Sequence, residues 1–194
     1  VWPGRAISPE KTPELVKPFI LSNRKRGHQD DSAHGIIHRY FTAVRLNDLP
    51  DAMHNLRTLM EHGYVTRTLN TVHYPYRVFC PDLLGAMPAI LLEMLVYSDE
   101  GFIKLLPAVP EDLSKGSIQG VWLYTFAKIE KMSWNLKEGK AVAEISSIVN
   151  QTIKFAFPMG YKKLYVNGKL TFENGNEFDL TMEQGSVTKL EFEF

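Results

Sequence analysis

The chain has 194 residues, of which 44% are hydrophobic and 11% aromatic, enough to build one ordinary core or two small ones. Lysine plus arginine and aspartate plus glutamate both number 22, so no excess charge attracts nucleic acid or an anionic membrane surface. The single Cys80 cannot form an intrachain disulfide, so cysteine content indicates no particular cellular compartment.

The longest apolar run, residues 83–97, is interrupted by Gly85, Pro88 and Glu93. It is shorter than the roughly 20 residues that span a bilayer, so it predicts a buried helix and no membrane partner. Residues 1–4 (VWPG) contain neither an initiator methionine nor the pattern of a secretory signal. We therefore expect the chain to be part of a longer protein.

Apolar residues at helical spacing predict four helices in the first half of the chain, at residues 13–26, 32–46, 50–62 and 83–97. Thr12 is a candidate N-cap before Pro13, and Gly27 is a candidate stop for this first helix. Asp48 is expected to cap the third helix, which should end at Gly63. The fourth helix is apolar on nearly all sides, so it requires covering elements beyond the other three or a second copy of the chain.

Residues 64–79 lack a sustained period and are rich in threonine, tyrosine, histidine and arginine, which favours a structured polar loop. From about residue 102, short runs of β-branched and aromatic residues alternate with turn signals, including Asn167-Gly168. This pattern predicts an antiparallel sheet. The fold class is therefore α+β in two parts, with a helical region at residues 1–100 and a β domain at residues 101–194.

Several ordered segments resemble glycoside hydrolase family 95, the alpha-L-fucosidases and related alpha-L-galactosidases. The segments are residues 2–9 (WPGRAISP), 44–48 (VRLND), 93–95 (EML), 105–110 (LLPAVP) and 116–121 (GSIQGV). They are similar to the family's Tyr-Pro-Gly-x-x-Ile-x-Pro segment, the helix end Ala-Arg-Leu-Gly-Asp, the helix end Glu-Met-Leu, the turn Leu-Leu-Pro-Ala-Leu-Pro and the strand Gly-Ser-Val-x-Gly-Leu. The resemblance extends to about residue 156.

The resemblance implies that the first part carries the last helical hairpins of an (α/α)6 barrel and that the second part is a β-sandwich-like domain. It also implies hydrolysis with inversion, in which a glutamic acid and an aspartate stand roughly 6.5 to 9.5 Å apart to admit a water molecule. In the family the glutamic acid and assisting asparagines lie upstream of the matched segments. The chain alone is therefore expected to be inactive, with the missing amino-terminal part of the same protein as its partner.

The resemblance further implies a fucosylated oligosaccharide or glycan as substrate and a secreted or periplasmic protein. No phosphate-binding loop or other cofactor motif is present in the sequence, and we expect no cofactor. A second interpretation stays open. In this interpretation the chain is part of a non-catalytic carbohydrate-binding or scaffold relative that has lost the catalytic aspartate motif.

The catalytic aspartate of the family lies in a Phe-Gln-Ile-Asp-Gly-Asn-Phe-Gly motif. Counting back from Glu93 places it on Asp82, whereas counting forward from the His-Tyr-Pro-Tyr segment at residues 73–76 places Phe79 there. The count from Glu93 makes Asp82 the catalytic base. The count from residues 73–76 leaves phenylalanine at that position, so the chain then has no catalytic base. Independently of the resemblance, Asp82 follows Pro81 before a predicted helix, so it is also a candidate N-cap.

Four further residues are candidates for substrate binding: His34, His73, Tyr76 and Arg77. Rings and fixed polar donors of this kind suit a sugar pocket, although tyrosine and arginine in loops also pack at domain contacts. His34 and His38, four residues apart and preceded by Asp30 and Asp31, resemble a zinc motif, but Gly35 replaces the required glutamate. We therefore predict no metal site, and Cys80 shows no firm histidine partner.

Overall fold

The computed structural model describes residues 2–26 and 31–194, with only the backbone of Arg26. Gly27, the predicted end of the first helix, and Asp30 lie outside the described residues. The chain divides after Leu95 into a helical unit and a sheet unit, the latter comprising Val96–Phe194. Helices followed by a curled sheet confirm the α+β class, while the assignment of the helices to an (α/α)6 barrel stays a prediction.

The helical unit contains four α-helices and one short hairpin. They are α1 (Pro13–Arg26), α2 (Ala33–Arg45), α3 (Leu49–Glu61), β1 (Val72–Tyr74), β2 (Arg77–Phe79) and α4 (Pro81–Glu93). The first three helices match their predicted ranges to within one residue at each end. Among the described residues, no helix has the length and apolarity needed to cross a membrane.

The predicted range of the fourth helix was wrong at both ends. It begins at Pro81, whose fixed φ suits a first helical position, and ends at Glu93. Val96 and Tyr97, which the prediction placed in the helix, instead pair with Leu105 and Lys104 in an antiparallel ladder. β-branched and aromatic side chains fit such a ladder well, so the sheet pairing overrides the helical spacing.

Helix α2 forms the core of the helical unit. Its predicted apolar stripe is buried as expected: Ile36, Ile37, Tyr40, Phe41 and Val44. Ser32 caps the helix, because its hydroxyl accepts a hydrogen bond from the Gly35 N–H at 3.1 Å. The buried Tyr40 hydroxyl donates to the carbonyl of Ile90 on α4, and burial raises the pKa of this phenol.

Arg45 and Glu93 form a bidentate ion pair between α2 and α4. The Arg45 Nε donates to Glu93 Oε2 at 2.9 Å, and Nη2 donates to Oε1 at 2.7 Å. Only 7% of the Arg45 side chain and 17% of the Glu93 side chain are exposed. The guanidinium also lies 4.8 Å from the centroid of the Trp2 ring, so the pair fixes the amino-terminal segment as well.

Asp48 occupies the N-cap position of α3, but its side chain makes no capping hydrogen bond. Its carboxylate instead accepts two hydrogen bonds from Arg24, from Nε at 3.1 Å and from Nη2 at 2.7 Å. The predicted capping role is therefore replaced by an ion pair to α1. One turn on, burial and the neighbouring Asp48 charge raise the pKa of Asp51.

Helix α4 is buried on one side only. Leu83 and Ile90 are fully buried, while Leu84 and Leu91, seven residues apart on another face, are about half exposed. Residues at that spacing lie on one stripe of a helix. The helical unit therefore leaves an apolar stripe of α4 uncovered.

The sheet unit contains eight strands and one 3₁₀ turn. They are β3 (Val96–Asp99), β4 (Phe102–Leu105), the 3₁₀ turn (Glu111–Leu113), β5 (Lys115–Trp122), β6 (Ala127–Asn135), β7 (Lys140–Ser147), β8 (Gln151–Val166), β9 (Lys169–Met182) and β10 (Val187–Glu193). Their order is β3-β4-β8-β10-β7-β6-β5, and β9 pairs with β8. All pairs are antiparallel except β4 with β8, which corrects the expectation of a wholly antiparallel sheet.

The predicted hairpin at Asn167-Gly168 joins β8 to β9. Both residues have positive φ, 51° for Asn167 and 78° for Gly168, as a type I′ turn requires. Stacked phenylalanine rings form part of the core against these strands. Phe155 stacks on Phe178 at 5.1 Å between centroids, and Phe157 stacks on Phe192 at 4.6 Å.

We expect Glu93→Gln to lower the free energy of unfolding by about 3 kcal/mol, because removing one partner leaves a buried guanidinium without its counter-charge. Urea denaturation followed by circular dichroism measures the change. The exposed Glu61→Gln on α3 is the matched control and should stay within about 0.5 kcal/mol of the parent. The double variant Arg45→Met/Glu93→Leu should recover part of the loss. A Glu93→Gln protein as stable as the control would contradict a structural role for the pair.

Candidate functional site

The polar loop predicted at residues 64–79 contains the β1–β2 hairpin, with Val72 opposite Phe79 and Tyr74 opposite Arg77. Two hydrogen bonds close its base. The Cys80 N–H donates to the Thr71 carbonyl at 2.9 Å, and the Thr71 hydroxyl donates to the Cys80 carbonyl at 2.6 Å. The hairpin therefore holds the residue that precedes α4 in a fixed position.

Four chemically active side chains meet beside this hairpin, and we name them the His–Cys–Asp cluster: His34, His73, Cys80 and Asp82. The ring centroids of His34 and His73 are 4.8 Å apart. His34 Nε2 lies 3.3 Å from Asp82 Oδ2, a hydrogen-bonding distance and an ion pair when the imidazole is protonated. The Cys80 thiol donates to the same carboxylate oxygen at 3.9 Å.

The cluster is buried at its base and open above. Cys80 is 2% exposed, whereas the side chains of His34 and Asp82 are 49% and 64% exposed. Three different elements supply the groups: α2 for His34, β1 for His73 and the start of α4 for Cys80 and Asp82. A small polar molecule or an ion can therefore reach these side chains without a change in the fold.

A groove of about 550 Å³ also borders the hairpin. Its lining combines aromatic rings with polar and charged groups: Asp31, Thr58, His62, Tyr64, Tyr74, Pro75 and Arg77. The Tyr64 hydroxyl donates to the backbone carbonyl of Asp31, which fixes one wall. The volume lies within the roughly 300 to 1,000 Å³ typical of small-molecule sites.

The structure brings some of the sequence-predicted site residues together and separates others. His34, His73 and Asp82 share the cluster, while Arg77 lines the groove. Tyr76 belongs to neither the cluster nor the groove. It lies at the tip of the hairpin, where its exposed ring packs over Gly63. Their assignment to catalysis or substrate binding stays a prediction.

Two sequence interpretations were wrong. Asp82 is not the N-cap of α4, because the helix begins one residue earlier and Cys80 occupies that position. Cys80, judged to lack a histidine partner, has its Sγ within 4.8 Å of one ring nitrogen each of His34 and His73. His38, the expected neighbour of His34, instead lies edge-on to Trp2 at 6.2 Å between centroids.

A hairpin signal could have revealed the position of Cys80. Pro75 is a turn former between two short extended runs, so a reversal there folds Cys80 back beside Thr71 and brings it near His73. The groove residues His62 and Tyr64 were also missed. They follow the end of α3, and only the tertiary fold places them opposite Arg77.

The chain matches no protein-family profile. It is 30% identical to alpha-L-fucosidase 2 of Arabidopsis thaliana, in an alignment that covers 58% of this chain and 14% of that protein. The chain thus spans a small share of the length of the curated relative it matches. This similarity relates the chain to a carbohydrate-cleaving enzyme.

Distant structural neighbours are also glycoside hydrolases. A GH127 beta-L-arabinofuranosidase from Geobacillus stearothermophilus T6 is 12% identical, with a TM-score of 0.39 over 81% of this chain and 30% of that chain. A GH31 alpha-xylosidase from Xanthomonas citri is 24% identical, with a TM-score of 0.23 over 33% of this chain and 7% of that chain. At these TM-scores the likeness is too remote to assign a function.

The packing of Tyr76 on Gly63 yields a test of the hairpin. Gly63 has φ +83°, and a Cβ there would lie 2.5 Å from the Tyr76 ring. We expect Gly63→Ala to cost about 1 to 2 kcal/mol from the left-handed backbone and to displace the ring. Urea denaturation measures the cost, and aromatic NMR shifts report the displacement.

Gly101→Ala is the matched control, since Gly101 has φ +63° and open space around its Cβ position. It should show the backbone cost alone. Measured relative to Tyr76→Ala, the Gly63→Ala/Tyr76→Ala variant should show only the backbone cost of the control, because the clash is absent. Unchanged Tyr76 shifts in Gly63→Ala would disprove the packing of this ring on Gly63.

Proposed function

We propose that the chain is the carboxy-terminal part of a family 95 glycoside hydrolase that removes α-linked fucose or a related sugar from glycans. The alignment with alpha-L-fucosidase 2 carries this proposal. The ordered segments quoted above support the narrower family assignment, because they include residues in both units. In this proposal α1 to α4 are the last helical hairpins of the (α/α)6 barrel.

Asp82 is the proposed general base. Its carboxylate is largely exposed, so a water molecule can approach it, and it lies in the first turn of α4, where the helix dipole favours a negative charge. His34 Nε2, 3.3 Å away, holds one carboxylate oxygen and leaves the other to accept a proton from water. The general acid of the inverting reaction would come from another part of the same protein.

The cluster histidines and the groove supply the proposed sugar contacts. The imidazoles of His34 and His73 offer donors and acceptors beside Asp82, and the Arg77 guanidinium offers several donors in a fixed plane. Tyr74, opposite Arg77 in the hairpin register, adds an aromatic face. Tyr76 can take part only at the exposed tip, where a longer glycan would pass.

The remainder of the protein is the proposed partner of α4. Leu84 and Leu91 form an uncovered apolar stripe on that helix, as an inner barrel helix would show without its neighbours. The chain also covers only 14% of the length of alpha-L-fucosidase 2. Both observations support a larger catalytic domain that buries this stripe and contributes the acid.

A second candidate function is carbohydrate binding without catalysis. It is favoured by the alternative register, which puts Phe79 at the position of the catalytic aspartate. Phe79 is exposed on β2 and presents an aromatic face of the kind on which sugars stack. Under this alternative Asp82 has no chemical role.

The isolated chain should show no measurable glycosidase turnover. General acid assistance contributes on the order of 10²- to 10⁴-fold to the rate, and the chain is proposed to lack that acid. Release of nitrophenol from an aryl α-L-fucoside by the purified, folded chain is the measurement. Steady nitrophenol release in proportion to the protein concentration would show that a complete site lies within these 194 residues. It would contradict the proposal that the general acid lies in another part of the protein.

In the full-length protein, Asp82→Asn should lower kcat by about 10²- to 10⁴-fold, because the amide cannot accept the proton from water. Loss of the favourable charge in the first turn should cost only about 0.3 to 1 kcal/mol. Hydrolysis of a fucosylated oligosaccharide and thermal unfolding measure the two effects. The exposed Glu61→Gln is the matched control and should leave both unchanged.

Near-normal turnover by Asp82→Asn would contradict the base assignment and place the base elsewhere in the protein. If the full-length parent itself shows no turnover, sugar binding decides between the two functions. Phe79→Ala should weaken glycan affinity under the binding alternative and leave the affinity nearly unchanged if Asp82 is the base. Isothermal calorimetry with the oligosaccharide makes this comparison.

A further inference from the structure

We propose that His34, His73 and Cys80 bind a divalent transition-metal ion of the zinc class. One ring nitrogen of each histidine and the Cys80 sulfur lie within 4.8 Å of one another. The hairpin brings Cys80 near His73, but His34 comes from α2, so only the tertiary fold brings the three residues together. This inference goes beyond the proposed hydrolase function and does not depend on it.

The chemistry of the donors selects the ion. Two imidazole nitrogens and one thiolate favour zinc, cobalt or copper, whereas magnesium and calcium prefer oxygen ligands. Ligand atoms of a tetrahedral zinc site lie about 3.3 to 3.6 Å apart, given bonds of about 2.0 to 2.3 Å. The three ligand atoms are at most 4.8 Å apart, so they need to move about 1 Å closer to one another to bind zinc.

The side chains can make that adjustment. Cys80 is held by its two backbone hydrogen bonds to Thr71, which fixes the sulfur as the anchor. His34 is about half exposed on the first turn of α2, so its ring can rotate at little cost in packing. The site is therefore fixed at its buried end and adaptable at its open end.

The environment of Cys80 is a second, independent observation. It occupies the N-cap position of α4, yet its side chain makes no capping hydrogen bond. The thiol points instead toward the cluster, where it donates to Asp82 Oδ2 at 3.9 Å. Serine, threonine, asparagine and aspartate are the residues that cap helices well. Capping therefore does not explain a cysteine at this position.

Asp82 lies beside two of the three candidate ligands. Its Oδ2 is 3.3 Å from His34 Nε2 and 3.9 Å from Cys80 Sγ. A water molecule can complete a tetrahedral shell. The ion would connect α2, the β1–β2 hairpin and α4, and should thereby stabilise the helical unit.

The test uses the reduced, metal-free chain titrated with cobalt(II) and, separately, with zinc(II). One equivalent of cobalt should give visible d–d bands and a near-ultraviolet thiolate-to-cobalt charge-transfer band, and zinc should displace it. Zinc should also raise the Tm, since binding to the folded state alone stabilises it. Calorimetry gives the zinc affinity and stoichiometry.

Cys80→Ser should abolish the charge-transfer band, and His34→Ala or His73→Ala should weaken zinc binding at least about tenfold. The exposed His54→Ala on α3 is the matched control and should bind like the parent. Circular dichroism checks that each variant folds. Zinc affinity unchanged in both Cys80→Ser and His73→Ala, or binding well below one equivalent, would overturn the proposal.

The metal experiment and the hydrolase experiment can fail separately. Metal binding is read by spectroscopy and calorimetry on the isolated chain, where no turnover is expected. Asp82→Asn should keep the charge-transfer band because Cys80 remains, while it removes hydrolysis in the full-length protein. An inactive full-length protein would thus not affect the metal result, and a metal-free chain would leave the role of Asp82 intact.

Discussion

The helical unit depends on one buried charge, the guanidinium of Arg45. It pairs with Glu93 at the end of α4, lies over the Trp2 ring and donates to the Gly4 carbonyl at 3.4 Å. A charge at this depth is tolerated only when its donors are satisfied, so α2, α4 and the amino-terminal segment must keep their relative positions. Tyr40 adds a second link between the same two helices.

That arrangement determines where the candidate site can form. With the end of α4 held against α2 by the ion pair, its beginning lies near the start of α2, and there Asp82 meets His34. The β1–β2 hairpin then fills the space before α4 and contributes His73. The reactive side chains are thus carried on the ends of fixed helices and on a closed hairpin, which suits a site whose geometry must be maintained.

The sequence predicted elements where local signals dominate. Pro13 located α1, Ser32 and the apolar stripe located α2, and Asn167-Gly168 located a hairpin, because each signal depends on neighbouring residues alone. It failed where tertiary pairing decides: Val96 joined a strand, and β4 paired in parallel with β8. Asp82 could be named by counting back from Glu93 in the family resemblance, but the approach of Cys80 to His34 depends on contacts across 46 positions of the chain, which no local pattern encodes.

The uncovered apolar stripe of α4 also affects how molecules of the isolated chain interact with one another. Its formal net charge is zero at neutral pH, so molecules of the isolated chain do not repel one another strongly. Leu84 and Leu91 then offer matching apolar surfaces to any neighbour, and contact between two such stripes removes both from water. This stripe is thus one of the apolar surfaces through which molecules of the isolated chain can associate in neutral buffer.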